Sequence, residues 1–128
     1  MLNVTCAIIL FQNKILVTQR SESMKLPLKW EFPGGKLESG ESEEDCIVRE
    51  IKEELNLKIL PLKKLPSFTY DYGNFQINLI PFTAKYISGE IELSEHKAYK
   101  LLDKEELLSL DWAEADLPIV AEFLKHEL

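Results

Sequence analysis

The sequence predicts a mixed α and β fold, of the α/β (α+β) class, in one domain spanning residues 1–128. Three observations support this prediction. Strand-like runs of apolar and β-branched residues alternate with segments of helical periodicity. The length suits a single hydrophobic core, and no linker, repeat or low-complexity tract divides the chain. A chain of this kind is expected to pack helices on a sheet.

The first elements in order are two strands and a long loop. Residues 2–11 are apolar and β-branched, Gln12-Asn13 reads as a turn, and residues 14–19 resume the strand pattern. Residues 21–41 contain two prolines and three glycines, so we expect mostly loop there, with a short strand at about residues 30–32.

A helix is predicted from Ser42 to about Asn56. This stretch lacks Gly and Pro, and four apolar residues recur at helical spacing. Ser42 is a suitable N-cap, and the acids that follow it suit the positive end of the helix dipole. Beyond the helix we expect strands near residues 57–71, 74–87 and 98–102, a short helix at 103–109, and an amphipathic helix at 117–127.

Charge and composition limit the classes of function. The 22 acidic and 15 basic residues give a net charge of −7, which argues against a partner that is a nucleic-acid polymer. A small phosphorylated ligand stays possible, because a divalent metal can bridge two anions. Cys6 and Cys46 fit no disulfide or metal pattern, so we interpret both as buried thiols. His96 and His126 are interpreted as solvated.

Targeting signals are not evident. Residues 1–10 have no charged leader and are interrupted by polar side chains, so they resemble neither a signal peptide nor a membrane span. We therefore expect a soluble, cytoplasmic protein that binds no membrane and is a monomer or homodimer.

The predicted helix carries a cluster of carboxylates. Glu50, Glu53 and Glu54 fall on one face, while the apolar residues fall on another. Like charges at this spacing destabilise a helix. The cluster is either a solvated acidic surface or a site for a hard cation such as Mg²⁺, which prefers oxygen ligands. The preceding Pro33-Gly34-Gly35 favours the cation site, because it brings backbone close to whatever the helix binds.

Residues 35–57 read Gly-Lys-Leu-Glu-Ser-Gly-Glu-Ser-Glu-Glu-Asp-Cys-Ile-Val-Arg-Glu-Ile-Lys-Glu-Glu-Leu-Asn-Leu. This segment resembles the Nudix box: Gly, five residues, Glu, seven residues, Arg-Glu, an aliphatic, any residue, Glu-Glu, any residue, Gly, an aliphatic. The one departure is Asn56, where the family usually has Gly. Asparagine is the next-best residue for the left-handed conformation that ends a helix. The matching positions are Gly35, Glu41, Arg49, Glu50, Ile51, Glu53, Glu54 and Leu57.

The resemblance implies the Nudix fold, an α-β-α sandwich around a mixed β-sheet, and hydrolysis of a nucleoside diphosphate linked to another group. It implies Mg²⁺ as cofactor, with Mn²⁺ possible. By position, the Gly34 carbonyl, Glu50, Glu53 and Glu54 would be metal ligands. Arg49 would orient the carboxylates. Glu41 would brace the junction of loop and helix or join the outer metal shell. Glu50 is the first candidate for the general base.

A second candidate base is Glu95, at the place where related enzymes supply an extra glutamate; the alternative is a solvated loop acid. Residues 17–20 and 29–36 further resemble the MutT branch, which converts nucleoside triphosphates to monophosphate and pyrophosphate. Arg20 and Phe32 would then contact the nucleotide, and Tyr72 would pack on its base or sugar. Phe32 and Tyr72 could equally be ordinary core or sheet aromatics.

Asp116 is the residue most informative about the base. An ionised Asp only accepts hydrogen bonds, which suits the amino group of cytosine. Binding 8-oxoguanine would instead require a protonated Asp116, helped by burial, or another donor. Asp116 is also a good helix N-cap before Leu117-Pro118. Oxidised purines such as 8-oxo-dGTP, in nucleotide-pool sanitation, and pyrimidine triphosphates such as CTP or dCTP both stay open.

Two other readings have different functions. A non-catalytic nucleotide-binding Nudix module is disfavoured, because such modules often lose the box glutamates that are complete here. An isomerase of the isopentenyl diphosphate type needs a longer chain and a catalytic cysteine, and Cys46 has no evident partner set. A Nudix hydrolase acting on another nucleoside diphosphate derivative is the remaining alternative.

Overall fold

Strands β1 (Leu2–Phe11) and β7 (Gln76–Ser88) run parallel at the centre of a mixed sheet, with Leu2 opposite Ile77 and Leu10 opposite Lys85. The computed structural model describes residues 1–125, and within them eight strands join this sheet. The strands are β1 (Leu2–Phe11), β2 (Lys14–Gln19), β3 (Trp30–Glu31), β4 (Gly34–Lys36), β5 (Lys58–Lys64), β6 (Phe68–Asp71), β7 (Gln76–Ser88) and β8 (Ala98–Leu102). The helices are α1 (Glu43–Leu55) and α2 (Leu117–Leu124), with 3-10 helices at Lys104–Ser109 and Glu114–Asp116.

The two central strands each change neighbour along their length. The second half of β1 pairs with β2, whereas its first half pairs with the short strand β4. In the same way, β7 pairs first with β6 and then with β5. Strand β4 therefore lies beside the first half of β1, where its backbone also contacts helix α1.

Alternating side chains of β1 supply two separate cores. Cys6 and Ile8 pack in the cluster beneath α2, whereas Ala7 and Ile9 pack in the cluster beneath α1. Each helix therefore covers one face of the sheet. This is the α-β-α sandwich around a mixed sheet that the sequence predicted.

Most predicted elements are confirmed, with local differences. The predicted loop at residues 21–41 also contains β4, whose three residues are too short and too rich in glycine to give a strand pattern. The predicted helix at 103–109 is a 3-10 helix, and the predicted helix at 117–127 ends at Leu124. His126 and the rest of that predicted helix beyond Lys125 lie outside the described residues.

Backbone conformation explains two of the chain's turns. Gln12 and Asn13 have φ of 53° and 65°, the left-handed pair that joins two twisted antiparallel strands. Asn56 has φ of 59° and ends helix α1, so the departure from glycine keeps the left-handed cap as predicted. Cys6 and Cys46 are buried and free, as predicted. Among residues 1–125, no helix has both the length and the apolar composition needed to cross a membrane.

The packing of α1 on the sheet gives a stability prediction. Ile51 is fully buried in the core beneath that helix. Truncation of Ile51→Ala should therefore lower the free energy of unfolding by about 2–5 kcal/mol, through lost transfer energy and the cavity left behind. Urea denaturation followed by circular dichroism measures the change. The matched control is Glu44→Ala on the exposed side of the same helix, which should stay within about 0.5 kcal/mol of wild type. Equal effects of the two substitutions would contradict the packing described.

Candidate active site

Helix α1 presents its carboxylates because its apolar residues fix its rotation. Ile47, Ile51 and Leu55 are fully buried against the sheet, which leaves the carboxylate face beside strand β4. The helix start is also fixed, since the Ser42 hydroxyl accepts a 3.0 Å hydrogen bond from the Asp45 backbone N–H. The predicted carboxylate helix is therefore a packed and capped element.

Arg49 joins the loop before the helix to the carboxylates on it. Its Nε and Nη2 donate to the two oxygens of Glu41 at 2.7 and 3.1 Å, which is a bidentate pair. Its Nη1 donates to Glu50 at 2.9 Å and reaches Glu53 at 3.2 Å. The hydrogen bonds from Arg49 lower the pKa of Glu41 to about 2. Glu41 also accepts from the Glu38 backbone N–H, so it braces the loop-helix junction.

Gly34 and Gly35 lie where a side chain would not fit. A Cβ atom on Gly34 would stand 1.9 Å from the Thr5 carbonyl oxygen of strand β1. A Cβ atom on Gly35 would stand 2.2 Å from the carboxyl carbon of Glu50. The glycines thus let the backbone of β4 lie directly between the sheet and the carboxylates, as the Pro-Gly-Gly sequence suggested.

Glu54, like Glu50, is largely buried, whereas the side chain of Glu53 is exposed. Burial is the main cause that raises the pKa of Glu54 to about 8, followed by the negative charges of Glu31, Glu50 and Glu95. Hydrogen bonding from the Gly34 backbone acts in the opposite direction. Within residues 1–125, the buried Oε1 of Glu54 has no hydrogen-bond partner. A buried oxygen with this surplus of negative neighbours fits a cation ligand.

These groups line one cleft of about 440 Å³. Its walls include Gly34, Glu50, Glu53, Glu54 and Glu95, so the structure brings together the predicted metal ligands and both candidates for the general base. In the described part of the chain, no three Asp, Glu, His or Cys side chains already converge closely enough to hold a metal ion. Glu50 and Glu53 are engaged with Arg49, so gathering the ligands requires their side chains to turn. Burial also raises the pKa of Glu50.

Two titratable residues that line this cleft were not predicted as site residues from the sequence. The expectation that His96 is solvated is wrong, because its side chain is only 1% exposed and lies between Glu31 and Glu54. Glu31 is a half-buried acid that also forms a salt bridge with Arg20 at 2.8 Å. A signal for Glu31 exists in the sequence, since it is the one charge in Trp30-Glu31-Phe32. His96 gives no such signal, because burial of a loop residue depends on the path of the loop.

A second, smaller cavity of about 160 Å³ adjoins the cleft. It is lined by Arg20, Phe32, Tyr72 and Asp116, the four residues predicted to contact the nucleotide. Phe32 is buried and packs on Trp112, with ring centroids 4.9 Å apart, so it also serves the core. Tyr72 is 38% exposed at the mouth and stacks on Phe75 at 5.0 Å. The cavity thus has an aromatic wall and charged or polar groups at its inner end.

Asp116 lies at the inner end of this cavity. Its Oδ2 accepts a 2.9 Å hydrogen bond from the Phe32 backbone N–H, and its side chain makes no capping bond to helix α2. Burial raises the pKa of Asp116 well above its usual range, and the charge of Glu31 adds to this effect. The raised pKa shifts Asp116 toward its protonated form, which has one O–H donor and a remaining acceptor and is the form that binding of 8-oxoguanine was expected to require.

Comparison with known families assigns this sandwich and its carboxylate helix to a class of hydrolases that act on phosphoric anhydride bonds. The family model described as NUDIX domain matches residues 1–123, and the chain belongs to the Nudix family. It is 32% identical over 124 residues to the CTP pyrophosphohydrolase of Escherichia coli (strain K12), covering 97% of this chain and 92% of that protein. It is 28% identical over 109 residues to the 8-oxo-dGTP diphosphatase of the same strain, covering 85% and 84%.

Solved structures agree with this assignment. The solution structure of the E. coli ORF135 protein has a TM-score of 0.87 at 32% identity and covers 98% of this chain and 89% of that one. The solution structure of MutT, described as a Nudix hydrolase, from methicillin-resistant Staphylococcus aureus 252 has a TM-score of 0.77 at 40% identity and covers 97% and 95%. The predicted resemblance to the MutT branch of Nudix hydrolases is thereby confirmed.

The low pKa of Glu41 predicts how stability depends on pH. Because the pKa falls from 4.5 to about 2 on folding, the Arg49–Glu41 pair stabilises the protein above the unfolded pKa, and this contribution is lost as pH falls through about 2. We expect Glu41→Gln to lower the melting temperature at pH 7 and the difference from wild type to shrink in acid. Thermal melts over this pH range measure it. A difference independent of pH would contradict the prediction, and Glu92→Gln, on an exposed loop, is the control.

Proposed function

We propose that the protein is a metal-dependent nucleoside triphosphate pyrophosphohydrolase of the MutT type, converting a nucleoside triphosphate and water to the monophosphate and pyrophosphate. The observation that carries the proposal is the buried Oε1 of Glu54, which lacks a partner among the described residues in a cleft shared with Glu50 and Glu53. The adjoining cavity supplies a place for a base beside this cation site. Mg²⁺, or Mn²⁺, suits a set of hard oxygen ligands.

Glu50, Glu53, Glu54 and the Gly34 carbonyl would hold the metal. When bound, the ion neutralises phosphate charge and lowers the pKa of water. Arg49 holds Glu50 and Glu53 near each other before the ligands gather, and its bidentate pair with Glu41 fixes the guanidinium in place. The positive charge of Arg49 therefore reduces the repulsion between these carboxylates when no metal ion is bound.

Glu50 is the first candidate for the general base, and Glu95 is the second. Burial raises the pKa of Glu50, which brings this carboxylate closer to the range in which a base works at neutral pH. Glu95 is exposed but lines the same cleft. Both can therefore reach a water molecule in the cleft, and substitution separates their roles.

The base is an oxidised purine, as in 8-oxo-dGTP, or a pyrimidine, as in CTP or dCTP. A protonated Asp116 could bind either base, because its carboxyl group has an O–H donor beside a carbonyl acceptor. In 8-oxoguanine these would pair with O6 and the N7–H, and in cytosine with N3 and the amino group. A CTP pyrophosphohydrolase and an 8-oxo-dGTP diphosphatase are both among the relatives. Comparing kcat/KM for 8-oxo-dGTP, dGTP, CTP and dCTP tests the choice.

The proposed chemistry predicts a large effect at Glu50. Glu50→Gln keeps the size of the side chain but removes a metal ligand and candidate base, so kcat should fall by about 100-fold or more with the fold unchanged. Pyrophosphate release is measured with and without Mg²⁺. Glu95→Gln, measured alongside, shows which carboxylate is the base, and Glu92→Gln on the same loop is the control. Wild-type protein that binds the nucleotides but releases no pyrophosphate would favour a non-catalytic module instead.

If Asp116 binds the base in its protonated form, which burial favours, two substitutions should have different effects. Asp116→Asn keeps a donor and an acceptor, so kcat/KM for the preferred nucleotide should stay within about tenfold of wild type. Asp116→Ala leaves the base and the Phe32 N–H without a partner and should lower kcat/KM by about tenfold to a hundredfold. Steady-state kinetics on the four nucleotides measure both. If Asp116→Asn lowers kcat/KM as much as Asp116→Ala does, the base is bound by the negative charge of Asp116, which contradicts the prediction.

A further inference from the structure

His96 occupies a buried position that the proposed mechanism leaves without a role. Its neighbours Glu95 and Lys97 are exposed, whereas its own side chain is 1% exposed. The loop that carries it is attached at several points: the Ser94 N–H donates to the Glu54 carbonyl at 3.1 Å, and the Lys97 N–H donates to the Gln19 carbonyl at 3.0 Å. The imidazole is therefore held between the end of helix α1 and strand β2.

The two ring nitrogens face two different carboxylates. Nε2 lies 2.8 Å from an oxygen of Glu31, a hydrogen-bond distance. Since Glu31 is already paired with Arg20, its oxygens accept and the ring nitrogen donates. Nδ1 lies 3.5 Å from Oε2 of Glu54 and has no hydrogen-bond partner among the described residues. A shift of well under 1 Å at Glu54 would bring its Oε2 within hydrogen-bond range of Nδ1, and an N–H at that nitrogen would then donate to the carboxylate.

These contacts form one path between the two cavities. Arg20 and Glu31 line both the smaller cavity and the larger cleft. Glu31 reaches His96, and His96 reaches Glu54. A side chain that hydrogen-bonds to a metal ligand without touching the metal fixes the orientation of that ligand. Loss of such a side chain typically weakens metal binding by about 10- to 100-fold. His96 lies beside Glu54 in this way. It also contacts Glu31, which lines the smaller cavity as well.

We propose that His96 is a positioning residue that orients Glu54 through one ring nitrogen and Glu31 through the other, and so couples metal binding to nucleotide binding. The inference rests on the proposed function, because it takes Glu54 as a metal ligand and the smaller cavity as the base site. It assigns to His96 no contact with the reacting atoms.

Three substitutions of His96 distinguish the roles of its two ring nitrogens. His96→Asn places an amide nitrogen near the position of Nδ1 and keeps the contact with Glu54. His96→Gln places it near the position of Nε2 and keeps the contact with Glu31. His96→Leu keeps neither. Lys97→Ala is the matched control, because Lys97 is exposed and pairs on the surface with Glu22.

Two measurements are made on each variant. Binding of Mn²⁺ alone to the nucleotide-free protein is followed by electron paramagnetic resonance, and kcat and KM are measured with Mg²⁺ on the preferred nucleotide. We expect His96→Leu to weaken Mn²⁺ binding by about tenfold or more and to raise KM. His96→Asn should keep the Mn²⁺ affinity of wild type but raise KM. His96→Gln should weaken Mn²⁺ binding but keep the KM of wild type. Lys97→Ala should match wild type in both.

The outcomes distinguish this inference from the proposed function. If wild type binds Mn²⁺ and releases pyrophosphate but the Asn and Gln variants do not differ from each other, the coupling through His96 is overturned. Should His96→Leu fail to fold, as judged by thermal melts, the comparison of Asn with Gln decides alone. Wild type that neither binds Mn²⁺ nor releases pyrophosphate overturns the proposed function itself.

Discussion

The close approach of strand β4 to its two neighbours is the constraint on which the rest of the site depends. Gly34 lies against the backbone of β1, and Gly35 lies against the carboxylate of Glu50, at distances that exclude any Cβ atom. This approach sets the separation between the sheet and helix α1. It also directs backbone polar groups toward Glu54, whose pKa they lower in opposition to burial. A wider spacing would leave the carboxylates facing water.

The electrostatics of the site follow from that spacing. Carboxylates confined beside a sheet repel one another and lose hydration, which favours their protonated forms. Arg49 donates directly to Glu41, Glu50 and Glu53, and it lowers the pKa of Glu41, whereas burial still raises the pKa of Glu50. Glu54 lies beyond its reach and retains the raised pKa. A single arginine thus pairs with Glu41, Glu50 and Glu53, while Glu54 is left for an external cation.

The sequence predicted the layers of the fold and the chemistry of helix α1, because hydrophobic periodicity and the spacing of the box residues are local properties of the chain. It did not predict strand β4, since three residues with two glycines carry no period. His96 and Glu31 were missed for a different reason. Their burial arises from contacts between segments far apart in the chain, such as the 2.8 Å pair between residues 31 and 96. The charge state of Asp116 was likewise inaccessible, because it depends on the depth of a cavity.

Asn56 stands where the family usually has glycine, and its side chain does what a glycine cannot. Its amide donates to the carbonyl of Glu90 at 3.2 Å, and its oxygen accepts from Lys52 at 3.0 Å. The left-handed cap of helix α1 is thereby also a tether for the loop that carries Glu95 and His96. At this one position the chain thus combines a left-handed backbone with two side-chain hydrogen bonds. The positions of Glu95 and His96 in the cleft therefore depend on the same residue that ends the helix carrying Glu50, Glu53 and Glu54.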